Sequence, residues 1–74
     1  MRTYRTRAAA RRACREGEAA LYGRGEHGRP WLVADAGTVE DLLADDLGRE
    51  QAHALLSRLW VIDLDDLLRA AEVA

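Results

Sequence analysis

The stretch EAALYGRGEHGRPWLVADAGTVEDLLADDLG (residues 18–48) decides the fold class, because the period of its apolar residues changes partway along. EAALYGR (18–24) and PWLVAD (30–35) read as two strands, and the connector GRGEHGR (23–29) has the glycine and polar content of a hairpin loop. From Thr38 the spacing becomes helical. TVED is predicted to be a capping box, with the Thr38 hydroxyl accepting from the Asp41 backbone N–H and the Asp41 carboxylate reaching back. Val39, Leu42, Leu43 and Leu47 then form an apolar face that stops at Gly48.

The flanks extend this pattern on both sides. RTYR (2–5) is short enough for an edge strand, and Thr6 can cap a helix over residues 7–16 with Ala9, Ala10, Ala13 and Cys14 as its apolar strip. Arg11, Arg12 and Arg15 fall in its last turns, favourable for the helix dipole, and Gly17 is a natural stop. Ala52, Leu55, Leu56 and Leu59 are spaced for a helix of residues 49–60, and Leu64, Leu67, Leu68 and Ala71 for another. The expected order is β-α-β-β-α-α-α, a single small α+β domain spanning residues 1–74.

The chain has 74 residues, 49% of them apolar, and no apolar run that could span a membrane. Its N-terminus lacks the apolar core of a secretory signal, although its Arg and Ala content leaves a mitochondrial-type presequence as a rival reading. One cysteine cannot make an internal disulfide, which fits a reducing compartment such as the cytoplasm of a bacterial host cell. All basic residues are Arg, and with the abundant Ala, Leu, Gly and Asp this composition suits a GC-rich bacterial or phage genome. The net charge of −2 hides a polarity: residues 1–30 carry +5 and residues 31–74 carry −7. Such a division points to a partner of one sign or to self-complementary association, including a possible homo-oligomer.

Four chemistries can be weighed on the residues. VIDLDDLL (61–68) reads like the first motif of haloacid-dehalogenase-type phosphatases, which needs a central strand, a lysine and later carboxylates. Few residues follow it and the chain has no lysine, so Asp63, Asp65 and Asp66 are better explained as an N-cap and first-turn acids. Cys14, His27 and His53 lack the close spacing of a zinc site, and Cys14 is expected to pack rather than react. No phosphate loop is present. The expectation is a non-enzymatic protein with no metal and no cofactor.

The pair VEDLLADDLG and REQAHALLSRL invites a helix-turn-helix reading, but the turn is too tight. Glu40, Asp41, Asp45, Asp46 and Glu50 would also repel a duplex. Direct nucleic-acid binding is the less favoured alternative; it would suit a small DNA-binding regulator or antitoxin using Arg11, Arg12, Arg15, Arg24 and Arg29. The favoured partner-binding residues are Glu40, Asp41, Asp45, Asp46, Asp63, Asp65 and Asp66. Rows of carboxylates with few cations in the same half can imitate nucleic-acid phosphates and occupy a basic groove on a host protein. A third reading is a phage assembly protein whose acidic and basic ends pair between copies.

LLSRLWVIDLDDL (55–67) resembles a stretch of small phage-encoded anti-CRISPR proteins that act on type I CRISPR–Cas systems. The likeness rests on the LLSR start, the valine after it and the D-x-D-D-L ending, with TVEDLLADDLG (38–48) as a looser acidic lead-in. It does not extend to the N-terminal part. The resemblance implies a phage or prophage inhibitor that binds a Cas subunit and blocks DNA recognition or nuclease recruitment, and it supplies no catalytic residues.

Overall fold

A computed structural model describes residues 2–73, with the side chains of all of these except 68 and 70–73. The elements are β1 (Arg2–Tyr4), α1 (Arg7–Ala13), β2 (Glu18–Glu26), β3 (Arg29–Asp35), α2 (Ala36–Leu47), α3 (Arg49–Arg58), β4 (Val61–Asp63) and α4 (Leu64–Val73). The fold is α+β. The four strands make one mixed sheet in the order β1-β3-β2-β4, antiparallel except for the parallel pair β2–β4.

The alternation of strand side chains divides the core into two layers. Ala20, Trp31 and Val33 point to the face covered by α1, where Ala10 is fully buried and Tyr4, Cys14, Tyr22 and Val61 pack around them. Tyr22 and Trp31, cross-strand partners, meet edge to face with ring centroids 5.2 Å apart. Ala19, Leu21, Ala34 and Ile62 point to the opposite face, where Val39 and Leu43 of α2, Ala52 of α3 and Leu64 of α4 close over them. Each large buried side chain there contributes about 1.5–3 kcal/mol relative to exposure. Leu42, Leu47, Leu55, Leu56 and Leu67 pack partly buried around that layer; the side chains of Leu68 and Ala71 lie outside the described residues.

Thr6 caps α1 as expected, its hydroxyl accepting from the Ala9 N–H at 3.1 Å. The helix is shorter than the apolar strip suggested. The Glu18 carboxylate accepts from the Arg15 N–H at 2.9 Å, and the chain turns at Gly17 (φ 80°). Cys14 therefore terminates α1, and Arg15 lies beyond it.

The hairpin turn itself is His27–Gly28, with β2 and β3 running almost to it and a bulge between Tyr22 and Glu26. Gly25 sits where a Cβ would lie 2.1 Å from the Arg29 carbonyl oxygen, so only glycine fits this close approach of the two strands.

The start of α2 corrects the expected capping box. Asp35, three residues earlier, is the N-cap, and its carboxylate accepts from both the Thr38 N–H (3.0 Å) and the Thr38 hydroxyl (2.7 Å). These two bonds, the hydroxyl first, hold the Asp35 carboxyl below its ordinary value of 3.8. Thr38 is thus a donor inside the first turn.

Two further differences lie near the C-terminus. Leu59 fits the helical spacing of α3, but that helix ends at Arg58, and Leu59 is extended and 45% exposed. Val61–Asp63, where the expected order β-α-β-β-α-α-α has no strand, forms β4 along β2.

Candidate binding surfaces

The acids proposed as a binding row are largely paired. Arg49, which opens α3, reaches back to Asp41 at 2.8 Å and Glu40 at 3.8 Å, and His53 Nδ1 lies 3.3 Å from Glu40. Arg24, from the basic half of the chain, forms an ion pair with Asp46. The Arg24–Asp46 pair joins the two oppositely charged halves within one molecule. Of the α2 acids named from sequence, Asp45 alone has no ion-pair partner among the described residues.

At the start of α4, Asp63 acts as the expected cap, accepting from the Asp66 N–H at 3.2 Å. Asp65 and Asp66 are exposed in the first turn, with Arg69 3.9 Å from Asp66. Asp63 and Asp66 line a shallow cleft together with Arg7, Leu59, Val61, Ile62 and Leu67, with a volume of about 190 Å³.

The arginines are distributed differently. Among the described residues Arg5, Arg7, Arg11, Arg12, Arg15, Arg29 and Arg58 have no ion-pair partner, and five of these seven lie on α1 or beside it. Arg7 and Arg11 are one helical turn apart and therefore share a face. They line a second cleft, also of about 190 Å³, with Arg58, Leu59, Trp60 and Val61. The Arg11 guanidinium stands 5.8 Å from the centroid of the Trp60 ring, a cation–π distance. Among the described residues Leu59 and Trp60 are the large apolar side chains most open to solvent, each 45% exposed. The two clefts abut along Arg7, Leu59 and Val61, so the groove has a basic, aromatic end and an acidic end.

Arg7, Arg58, Leu59 and Trp60 were not named as binding residues by sequence reasoning, Leu59 being read only as a position on the α3 apolar face. Their one local signal is Trp60, an aromatic residue just past the last position that fits the α3 face. Of the arginines that were singled out, Arg11 lines the cleft, Arg12 and Arg15 are exposed nearby on or after α1, and Arg29 stands at the far end of the hairpin. Arg24 is held by Asp46.

α2 and α3 are joined by Gly48 alone, too short for the three- or four-residue turn of a helix-turn-helix. No group of three potential metal ligands comes together among the described residues, and no charged or polar residue among them is buried. Burial pushes the Cys14 thiol above its ordinary value, the direction of a packed rather than an activated cysteine. No helix among the described residues is long and apolar enough to cross a membrane. Comparison of the chain with protein-family models, curated proteins and solved structures finds no match.

Proposed function

We propose that this protein is a small non-enzymatic binding module that engages nucleic acid through its arginine-rich α1 side, as a regulator does. The observation that carries the reading is the imbalance in pairing. The α2 acids are mostly satisfied within the molecule, whereas Arg7, Arg11 and Arg58 converge on one cleft with no acid partner among the described residues. Unpaired guanidinium groups beside an exposed aromatic ring match the demands of phosphate neutralisation and base contact. A mobility shift at low salt tests the reading, with duplex and single-stranded oligonucleotides each tried. A shift that disappears in Arg7→Glu/Arg11→Glu supports it. No shift with either nucleic acid overturns it.

A second reading is favoured by the acidic end of the groove. Asp63, Asp65 and Asp66 gather at the start of α4, and Asp63 and Asp66 line one cleft together with the apolar Leu59, Ile62 and Leu67. This suits a basic segment of a protein partner, as an anti-CRISPR-like inhibitor would need against a Cas subunit. Under this reading, Asp65→Arg/Asp66→Arg abolishes capture of a purified type I Cas complex, whereas Arg11→Glu/Arg58→Glu, at residues that line only the other cleft, leaves it unchanged. Capture that survives the acid reversal with the same salt dependence rules this reading out.

A further inference from the structure

The corner between α3 and β4 has properties that phosphate neutralisation alone does not require. Trp60 follows an extended residue at the end of α3, and its backbone carbonyl accepts from the Ala20 N–H at 2.8 Å. Its indole is therefore carried on a backbone tied to the sheet while the residue stays 45% exposed. Trp31, the other tryptophan, is 4% exposed and belongs to the core, so Trp60 is not needed to complete the layer beneath α1. An exposed indole on a tethered backbone, with the Arg11 guanidinium over the ring on one side and Arg7 and Arg58 lining the same cleft, offers its remaining exposed surface as a stacking platform inside a positive frame.

Resting on the nucleic-acid reading, we infer that this corner binds single-stranded nucleic acid, with one base stacked on Trp60 and the flanking phosphates held by Arg7, Arg11 and Arg58. A duplex keeps its bases stacked on one another and offers a protruding indole no free base face. A single strand offers one at every nucleotide. The cleft is short and open, which suits one or two nucleotides rather than a groove of duplex width. The described residues lining the cleft bring no side-chain acceptor for a 2′-hydroxyl, so DNA and RNA single strands are expected to bind alike. Asp63 and Asp66 at the neighbouring end of the groove repel phosphates and direct the strand from Arg7 toward Arg58.

The test is titration of the intact protein with short oligothymidylate, with oligouridylate of equal length and with a duplex of equal length, read by tryptophan emission. Because Trp31 is buried, a change on binding reports Trp60. Both single strands are expected to quench emission and to bind more tightly than the duplex. With three phosphates neutralised, the logarithm of the affinity should fall with the logarithm of salt at a slope of about −2. Read by the anisotropy of a dye-labelled oligothymidylate, since these variants lack the reporting indole, Trp60→Ala should weaken single-strand binding roughly tenfold or more, and Trp60→Tyr should restore most of it. Circular dichroism on each variant checks that it folds.

Equal binding of duplex and single strand, with Trp60→Ala unchanged, overturns the stacking site while leaving the nucleic-acid reading intact. Binding of polyglutamate as tight as that of oligothymidylate also overturns it, since charge alone then accounts for affinity. So does a dimer in which acrylamide no longer reaches Trp60, which would make this corner a contact between copies. Failure to bind any nucleic acid removes both readings together.

Discussion

The Ala20 backbone N–H donates to the Trp60 carbonyl across 2.8 Å, joining the centre of the sheet to the residue that immediately precedes its last strand. Through that bond and the β2–β4 ladder, the position of the exposed indole depends on the docking of β4. Ile62, 1% exposed and paired with Leu21, anchors the strand in the core. Ile62→Ala is expected to destabilise the protein by about 2–5 kcal/mol. A domain of this length holds roughly 4–11 kcal/mol in total. Urea unfolding should therefore show a large fall in midpoint.

Gly25→Ala is expected to destabilise by about 1–3 kcal/mol, because the added methyl meets the Arg29 carbonyl oxygen and the Pro30 backbone. The check is thermal unfolding together with amide exchange in β2 and β3, which should quicken near the bulge and not in α2.

Acid should unfold the protein partly through two carboxylates. Asp35 is held below its ordinary 3.8 by the Thr38 hydroxyl and N–H. Glu18 is held below its ordinary 4.5 by the Arg15 N–H and then the Arg2 guanidinium. Groups with depressed folded values stabilise the fold above their unfolded values, and that contribution is lost as pH falls through the folded ones. The melting temperature should therefore change little through these groups near neutrality and decline below about pH 4. Asp35→Asn and Glu18→Gln should each flatten the decline.

Cys14 packs against the α1 layer and its thiol is pushed up by burial. Its reaction with a disulfide reagent at mildly alkaline pH should be slower in the folded protein than in the urea-unfolded chain. Equal rates would mean that the thiol is not packed as described.

Asp66→Asn removes a negative charge from the groove beside Arg7 while leaving the Asp66 N–H free to cap on Asp63. Single-strand affinity should rise, and its salt dependence should shift with it. An unchanged affinity would place the bound strand away from the acidic end.

The α+β class was legible in the sequence because the period switches between Leu32 and Val39, a local property of the chain. The caps were partly legible. Thr6 and Asp63 do what their positions suggest, but Asp35 and Thr38 are both good caps, and the choice between them rests on which helix start lets Asp35 take two bonds from Thr38. β4 was not legible as a strand. Three residues are too few to show a period, and what makes them a strand is the free edge of β2, about forty positions away. Leu59 misled for the opposite reason, since its spacing is helical but the chain has already left the helix. The arginine-lined cleft could not be read from any local stretch, because Arg7, Arg11, Arg58 and Trp60 come from α1, the end of α3 and the link to β4.

The strand order also carries a kinetic consequence. The β2–β3 hairpin closes a two-residue turn, so its pairing is local and inexpensive in chain entropy, whereas Ala20 finds Val61 only after the intervening helices have been gathered in. The hairpin should thus be an early event and the β2–β4 pairing a late one. Early intermediates would hold much of the secondary structure with the indole of Trp60 still unplaced. Binding that requires the α3–β4 corner would then report completion of folding, and a pulse-labelling experiment should find ligand recognition emerging with protection of the Ala20 amide rather than with that of the hairpin.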